Sequence, residues 1–334
     1  MVSNTLTFEG QVNLGNNAII KNGLGTLTLS GTASDSGTPL TVNAGRINLD
    51  KSSGNAVGIT GAGVTVNTNG LVVITGSSGD QIRDGTGTLT PLNLVGGAFD
   101  LNGHSERVDL CNISNGGTLR NGATNSVSTL GLFGSAVLNL AGNNAVFDVT
   151  AADGLLTITN PVSGIGSLVK TGAGVLNLYS NNTYAGNTTV SGGTLVLNFP
   201  SLTNTSTVTV AANASLELNF VDTNTVAGLV LNGVSKPAGV YSAITDPVYL
   251  TGTGSLQVSP TVATNPTNII FGVTGTSLSL SWPADHKGWT LQTNAVGVAS
   301  PAAWFPYPGS SGVTNVTITI EPAITNLYFR LVYP

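Results

Sequence analysis

Apolar and polar residues alternate in short runs along most of this chain. "GVTVNTNG", "GTGTLTPLNL", "GGAFDLNG", "AVLNLAGNNAVFDV", "STVTVAANASLELNF" and "GTGSLQV" each place apolar side chains at every second position and stop at Gly or Asn, or at the next run. Alternation at period two predicts a strand with one buried face, and Gly and Asn permit the tight corner that follows. Strands this short and this regularly punctuated fold as a sandwich, a barrel or a solenoid.

Internal repetition favours the solenoid. Residues 20–49, "IKNGLGTLTLSGTASDSGTPLTVNAGRINL", align with residues 169–197, "VKTGAGVLNLYSNNTYAGNTTVSGGTLVL". Lys21 meets Lys170, Gly25 meets Gly174, Leu27 meets Leu176 and Leu29 meets Leu178. After one residue of slip, Val42 meets Val190, Gly45 meets Gly193, Ile47 meets Leu195 and Leu49 meets Leu197. Stacked coils of roughly 20 to 30 residues over positions 4 to 258 predict about nine to twelve turns, a rod about 5 nm long with an aliphatic column inside. Outward Thr and Asn, including Asn182, Thr188 and Thr189, are expected to pair with equivalents one rung away.

Composition supports this reading. Only 7% of the 334 residues are charged and 44 are Gly, against about 25% charged in an ordinary globular domain. Like charges in register on adjacent rungs would repel, so Thr, Ser and Asn wet the surface instead. The net charge of −5 and the scattered basic residues argue against nucleic acid as a partner. No apolar run is long enough to span a bilayer, and "MVSNTLTFEG" lacks the features of a secretory signal. The chain therefore reads as a mature or excised piece of a longer exported precursor, and the strand pattern that starts at "NTLTFEG" suggests either that the native chain continues upstream or that this end pairs head-to-tail with another copy into a filament. Cys111 is alone, which excludes an internal disulfide, and it suits a buried apolar position.

The stretch "GSLVKTGAGVLNLYSNNTYAGNTTVSGGTLVL" resembles the autotransporter-associated β-strand repeat. Lys170, Gly172, Gly174, Leu176, Asn182, Tyr184, Gly186, Thr188, Gly193 and Leu195 occupy the places of that pattern. Residues 20–49 resemble a degenerate copy without the Asn-x-Tyr pair. The resemblance implies a right-handed parallel β-helix in the exported passenger region of a bacterial surface protein. Self-transport does not follow from it, because an autotransporter proper ends in a membrane barrel.

The expected organisation is a β-solenoid over residues 1–258, a linker at 259–268 ("SPTVATNPTN") and a small antiparallel β-sandwich over 269–334. All three tryptophans, Trp282, Trp289 and Trp304, fall in the last segment, where "TSLSLSW", "GWTLQT", "VTITI" and "LYFRLVY" alternate like six or seven strands. Its phrases "LSWPADHKGWTLQTN" and "YFRLVYP" resemble a carboxy-terminal module of repeat-rich exported proteins from verrucomicrobial bacteria. That likeness implies sorting, capping or attachment.

Candidate chemistry is sparse. "GHSERVD" gathers His104, Ser105, Glu106, Arg107 and Asp109, yet neighbours on one strand alternate sides, so a solvated corner is the expected reading. Asp80 and Asp84 in "GDQIRDG" lack the ligand density of a calcium loop. Asp148 and Asp153 are conceivable paired carboxylates without supporting groups. His286 in "PADHKG" is expected at the surface. Trp282, Trp289 and Trp304 are the candidate binding residues, as a sugar-stacking surface, although a sandwich this small needs large core groups. No catalytic residue, metal or cofactor is expected. Three functions stay open: a non-catalytic structural or adhesive element, which the scarcity of reactive side chains favours; a carbohydrate-binding module on a stalk; and a polysaccharide-cleaving β-helix. The partners expected are a second copy, a cell-surface component or a polysaccharide.

Overall fold

The fold was analysed in a computed structural model that describes residues 4–333 except 16, 37–38, 54, 58–62, 86–88, 260–262, 322 and 324–325. Parts of the predicted linker (260–262) and of the "GTGTLTPLNL" module (86–88) thus lie outside the described residues. The chain forms two compact units that divide between Ser259 and Pro260. No α-helix occurs among the described residues.

The first unit is a β-solenoid of about ten turns with three faces. One face is a twelve-stranded sheet, and the other two are sheets of seven strands. All neighbours along the first face are parallel up to Gly228–Leu231. Because every rung sits over the same position of the last, inward residues form columns. Phe99, Leu119, Phe147, Lys170, Val190, Val210 and Leu231 follow one another on the first face. Leu156, Leu176, Leu195, Leu216 and Leu250 do so on the second, and Leu92, Cys111, Leu138 and Val162 on the third. Each buried Leu in such a column contributes about 1.5–3 kcal/mol relative to an exposed one.

Outside, asparagines stack into ladders. Asn67 donates to Asn43 and Asn43 to Asn22, both at 2.7 Å. Asn139 donates to Asn112 at 3.1 Å and Asn112 to Asn93 at 2.9 Å. Asn219 donates to Asn198 at 2.9 Å and Asn198 to Asn177 at 2.6 Å. An amide carries both donor and acceptor, so identical side chains in register satisfy one another. Where charges do stack they alternate in sign: Arg120 lies between Asp100 and Asp148, at 3.5 and 3.4 Å.

The two sequence repeats do not occupy the same faces. The strand bearing Lys21 (Ile19–Lys21) belongs to the third face, whereas the strand bearing Lys170 (Ser167–Thr171) belongs to the first. What the repeats share is a corner. Lys170 Nζ donates to the carbonyls of Thr171, Gly172 and Gly192 at 2.7, 2.9 and 3.1 Å. Lys21 Nζ donates to the matching carbonyls of Gly23 and Ala44. The lysine stem fills the column and its ammonium ties its own corner to the next. Gly172 turns that corner at φ +74°, and a Cβ there would lie 2.1 Å from the Val149 carbonyl oxygen.

Two residues expected outside are inside. Thr188 and Asn182 are buried. The coil that contains them has no third-face strand, and Tyr184 fills the interior there with its hydroxyl 2.7 Å from that of Thr188. Asn182 accepts the Val162 amide at 3.0 Å, while the amides of Thr183 and Ala185 reach the Val162 and Gly164 carbonyls. The Asn-x-Tyr pair of the repeat thus replaces a strand.

The last parallel coil is closed by antiparallel strands. Gly228–Leu231 turns through Asn232 and Gly233, at φ 50° and 76°, into Val234–Ser235. Gly239–Ser242 lies antiparallel against Ser255–Val258.

The second unit has two antiparallel sheets of three strands. Ser277–Ser281 is central between Ile270–Thr274 and Asn315–Thr319. Thr290–Asn294 is central between Phe305–Pro306 and Tyr328–Val332. Leu280, Trp282 and Leu291 form its core, with Leu278, Ile318, Phe329 and Leu331 packed around them.

Lys170→Met keeps the apolar stem and strands the three carbonyls, at an expected cost of about 1–3 kcal/mol. Lys21→Met at the more exposed corner should cost less. Urea denaturation midpoints of the two variants check the order, and an equal or reversed effect refutes the corner reading.

Candidate functional site

Several charged side chains of the solenoid bond its own backbone or one another. At its amino-terminal end a line of buried polar groups crosses several coils. Asp35 Oδ1 accepts the Val12 amide at 2.7 Å and pairs with Lys51 Nζ at 2.9 Å, with both charged side chains fully buried. Lys51 Nζ also donates to the Gly10 carbonyl. Burial pushes the Asp35 carboxyl up, and the bond to Lys51 partly offsets this. Gln81 brackets the backbone of Lys51, accepting its amide at 3.1 Å and donating to its carbonyl at 3.0 Å.

Glu106 continues the line. It stands in register with inward Leu130, so its side chain points into the solenoid. Its carboxylate oxygens accept the amides of Gln81 and Ile82 at 2.9 and 3.2 Å. Burial, then a hydrogen bond that the protonated Glu106 carboxyl donates to Asp80, and the negative charge of Asp80 hold the Glu106 carboxyl well above its usual range. Asp109, also buried, accepts the Gly85 and Thr90 amides at 2.9 and 2.8 Å. The "GHSERVD" segment is therefore not the solvated corner that the sequence suggested. Ser105 and Arg107 alternate outward as expected, but the two acids satisfy amides of the preceding coil, which has no strand on this face among the described residues.

Three further candidate acids are engaged separately. Asp84 holds the exposed Arg107 guanidinium. Asp148 bonds the hydroxyls of Thr150 and Thr171 at 2.9 and 3.0 Å, and Asp153 accepts the Asn125 amide at 3.0 Å. Among the described residues no group of three or more His, Cys, Asp or Glu is placed to hold a metal. Cys111 is buried between Leu92 and Leu138, and burial pushes its thiol up to about 12.

The candidate binding residues separate. Trp282 and Trp289 are buried, and the Trp289 indole donates to the Ala263 carbonyl at 2.7 Å. Trp304 is half-buried with the Arg330 guanidinium 4.4 Å above its ring. His286, expected at the surface, is buried: its ring lies 5.1 Å from that of Trp289, with nitrogens 2.8 Å from the Asp285 carboxylate and from the Asn265 carbonyl. That carbonyl, then Asp285, raises its pKa. The loop polarity of "PADHKG" concealed how well these acceptors suit an imidazole.

Residues 19–49 and 168–197 match the passenger-associated-transport-repeat family. Those two segments are what the chain has in common with passenger repeats of that family. The Adhesin BmaC autotransporter of Brucella suis biovar 1 (strain 1330) is 28% identical over 187 residues, which cover 50% of this chain and 5% of that protein. The chain thus spans a small fraction of the length of this relative. No solved structure matches it. No helix of the described residues is long and apolar enough to cross a membrane, which leaves membrane β-barrels unaddressed.

Two outcomes follow from the buried groups. A carboxyl raised in the fold stabilises fully below its unfolded pKa, and that stability is lost as pH rises through the folded value. Wild-type stability should therefore fall with rising pH, and Glu106→Gln should flatten this part of the profile, as read from denaturation midpoints between pH 4 and 9. Cys111 should resist thiol reagents in the native chain and react once denatured; native labelling at the rate of a free thiol contradicts its place in the column.

Proposed function

We propose that this chain is a non-catalytic, adhesive element of the bacterial cell surface or extracellular space. In this reading the solenoid is a stiff spacer and the carboxy-terminal unit is the contact or attachment module. The observation that carries the proposal is the engagement of Asp35, Glu106, Asp109 and Asp148 by backbone and neighbouring side chains of the solenoid itself. A polysaccharide-cleaving β-helix needs free acids and bases in a cleft, and these carboxylates are already used. The passenger repeats and the relative named an adhesin support an exported, adhesive role.

Head-to-tail stacking into filaments is the weaker variant. The antiparallel strand Val234–Ser235 stands where a further parallel rung would add on the first face, and Gly239–Ser242 lies antiparallel along the edge of Ser255–Val258. They favour a finished end that leads into the module, with sorting, capping and attachment as the roles it could serve.

Display of the full chain on a non-adherent bacterium, fused to an independent membrane anchor, should raise attachment to cultured host cells or matrix-coated surfaces several-fold over the anchor alone. Equal attachment with and without the displayed chain overturns the adhesive reading.

A further inference from the structure

Three cations among the described residues lie over aromatic rings: Arg107 over Phe133, Lys236 over Tyr241 and Arg330 over Trp304, at 5.4, 5.5 and 4.4 Å. Two of these cations are neutralised. Arg107 is paired with Asp84, and Lys236 with Asp246. Arg330 makes no ion pair among the described residues; its Nε donates to the Gln292 amide oxygen at 2.8 Å.

The register of the second sheet places the surroundings. Gln292 lies opposite Pro306 on one side and Arg330 on the other, so the three share one face. Trp304 precedes Pro306 by two residues and belongs to the same side. The alternate residues Leu291 and Leu331 serve the core. The outward face therefore presents an exposed guanidinium over an indole, flanked by an amide and an exposed proline ring.

We propose that this face binds a carboxylate-bearing saccharide, a uronate residue of an acidic polysaccharide. The terminal guanidinium nitrogens take the carboxylate in the two-pronged geometry that arginine favours, and stacking on the indole holds them in place. Gln292 offers its amide N–H to a ring hydroxyl. Trp304 and Pro306 supply the apolar surface that the C–H face of a pyranose prefers. Charge complementarity selects the acidic class, because a neutral sugar leaves the guanidinium without its counter-ion. The proposal rests on the adhesive reading above and gives the contact module a ligand.

The test uses the full chain and immobilised polygalacturonate, with dextran as the neutral polymer and polyaspartate as the charged polymer without sugar. Wild type should bind polygalacturonate and neither of the others, and added salt should weaken binding. Arg330→Gln and Trp304→Ala should each weaken it about tenfold or more, with Arg330→Lys in between. Circular dichroism and the thermal midpoint verify that each variant folds, and Thr317→Ala on the other sheet is a control that should bind as wild type. Binding to dextran, equal binding to polyaspartate, no binding at all, or unchanged binding by folded Arg330→Gln overturns the proposal. Attachment in the display assay without polygalacturonate binding removes the ligand and leaves the adhesive reading intact, whereas loss of both removes both.

Discussion

Parallel, in-register stacking sets the terms for nearly everything in this solenoid. Each side chain faces its counterpart about 4.8 Å away on the next rung, so a residue must be compatible with a copy of its own kind on both sides. Leucine meets that condition inside and asparagine meets it outside. A single charge does not, and the exceptions carry their own remedy. Arg120 separates two aspartates, and Lys170 sits between Phe147 and Val190 only because its ammonium leaves the column for a nest of carbonyls. The low charge content is thus a consequence of stacking.

The corners carry the second constraint. Between faces the ladder is interrupted, and backbone amides there need acceptors from elsewhere. A recurring solution is a side chain one coil later reaching back: Asp35 to Val12, Glu106 to Gln81 and Ile82, Asn160 to Leu132, Asn182 to Val162 and Asn224 to Leu202. These residues are buried or partly buried and polar, with their oxygens directed at N–H groups. A carboxylate in this role gives strong bonds but pays in desolvation, which is why Glu106 holds its proton far more tightly than an ordinary glutamate. The amide of asparagine does the same task without that penalty, and the later coils use it.

Period-two alternation was enough to place Leu27, Leu49, Leu176, Leu195 and the other column residues, and the repeat was enough to choose a solenoid. Polarity misplaced Asn182 and Thr188, although Thr188 alternates in phase with inward Val190, because polarity in the sequence does not distinguish a side chain wetted by solvent from one that satisfies a buried amide or phenol. Glu106 was misread for that reason, and so was His286. The alignment of Lys21 with Lys170 was sound as chemistry, but it carried no information about which face each copy would occupy. A motif that encodes a corner can start on any of the three faces, since the corner's hydrogen bonds involve only its own residues and those of the next coil. Tyr184 shows the limit from the other side: the repeat pattern marked it, and only the missing third-face strand explains why an aromatic ring is needed there.

The same economy bears on function. In the proposed reading the solenoid's acids complete its own backbone and recognition falls to the second unit, whose antiparallel sheets face unlike residues with one another and so admit an isolated arginine, a glutamine and a tryptophan on one surface. In the first unit Arg107 and Lys236 find a carboxylate near by in the same coils or the next. In the second, Arg330 has Gln292 and Trp304 as partners and no carboxylate among the described residues. An exposed guanidinium that stacks on an indole and has no carboxylate partner among the described residues keeps its terminal nitrogens available to an anion from outside, and that asymmetry, more than any likeness in sequence, carries the proposed ligand.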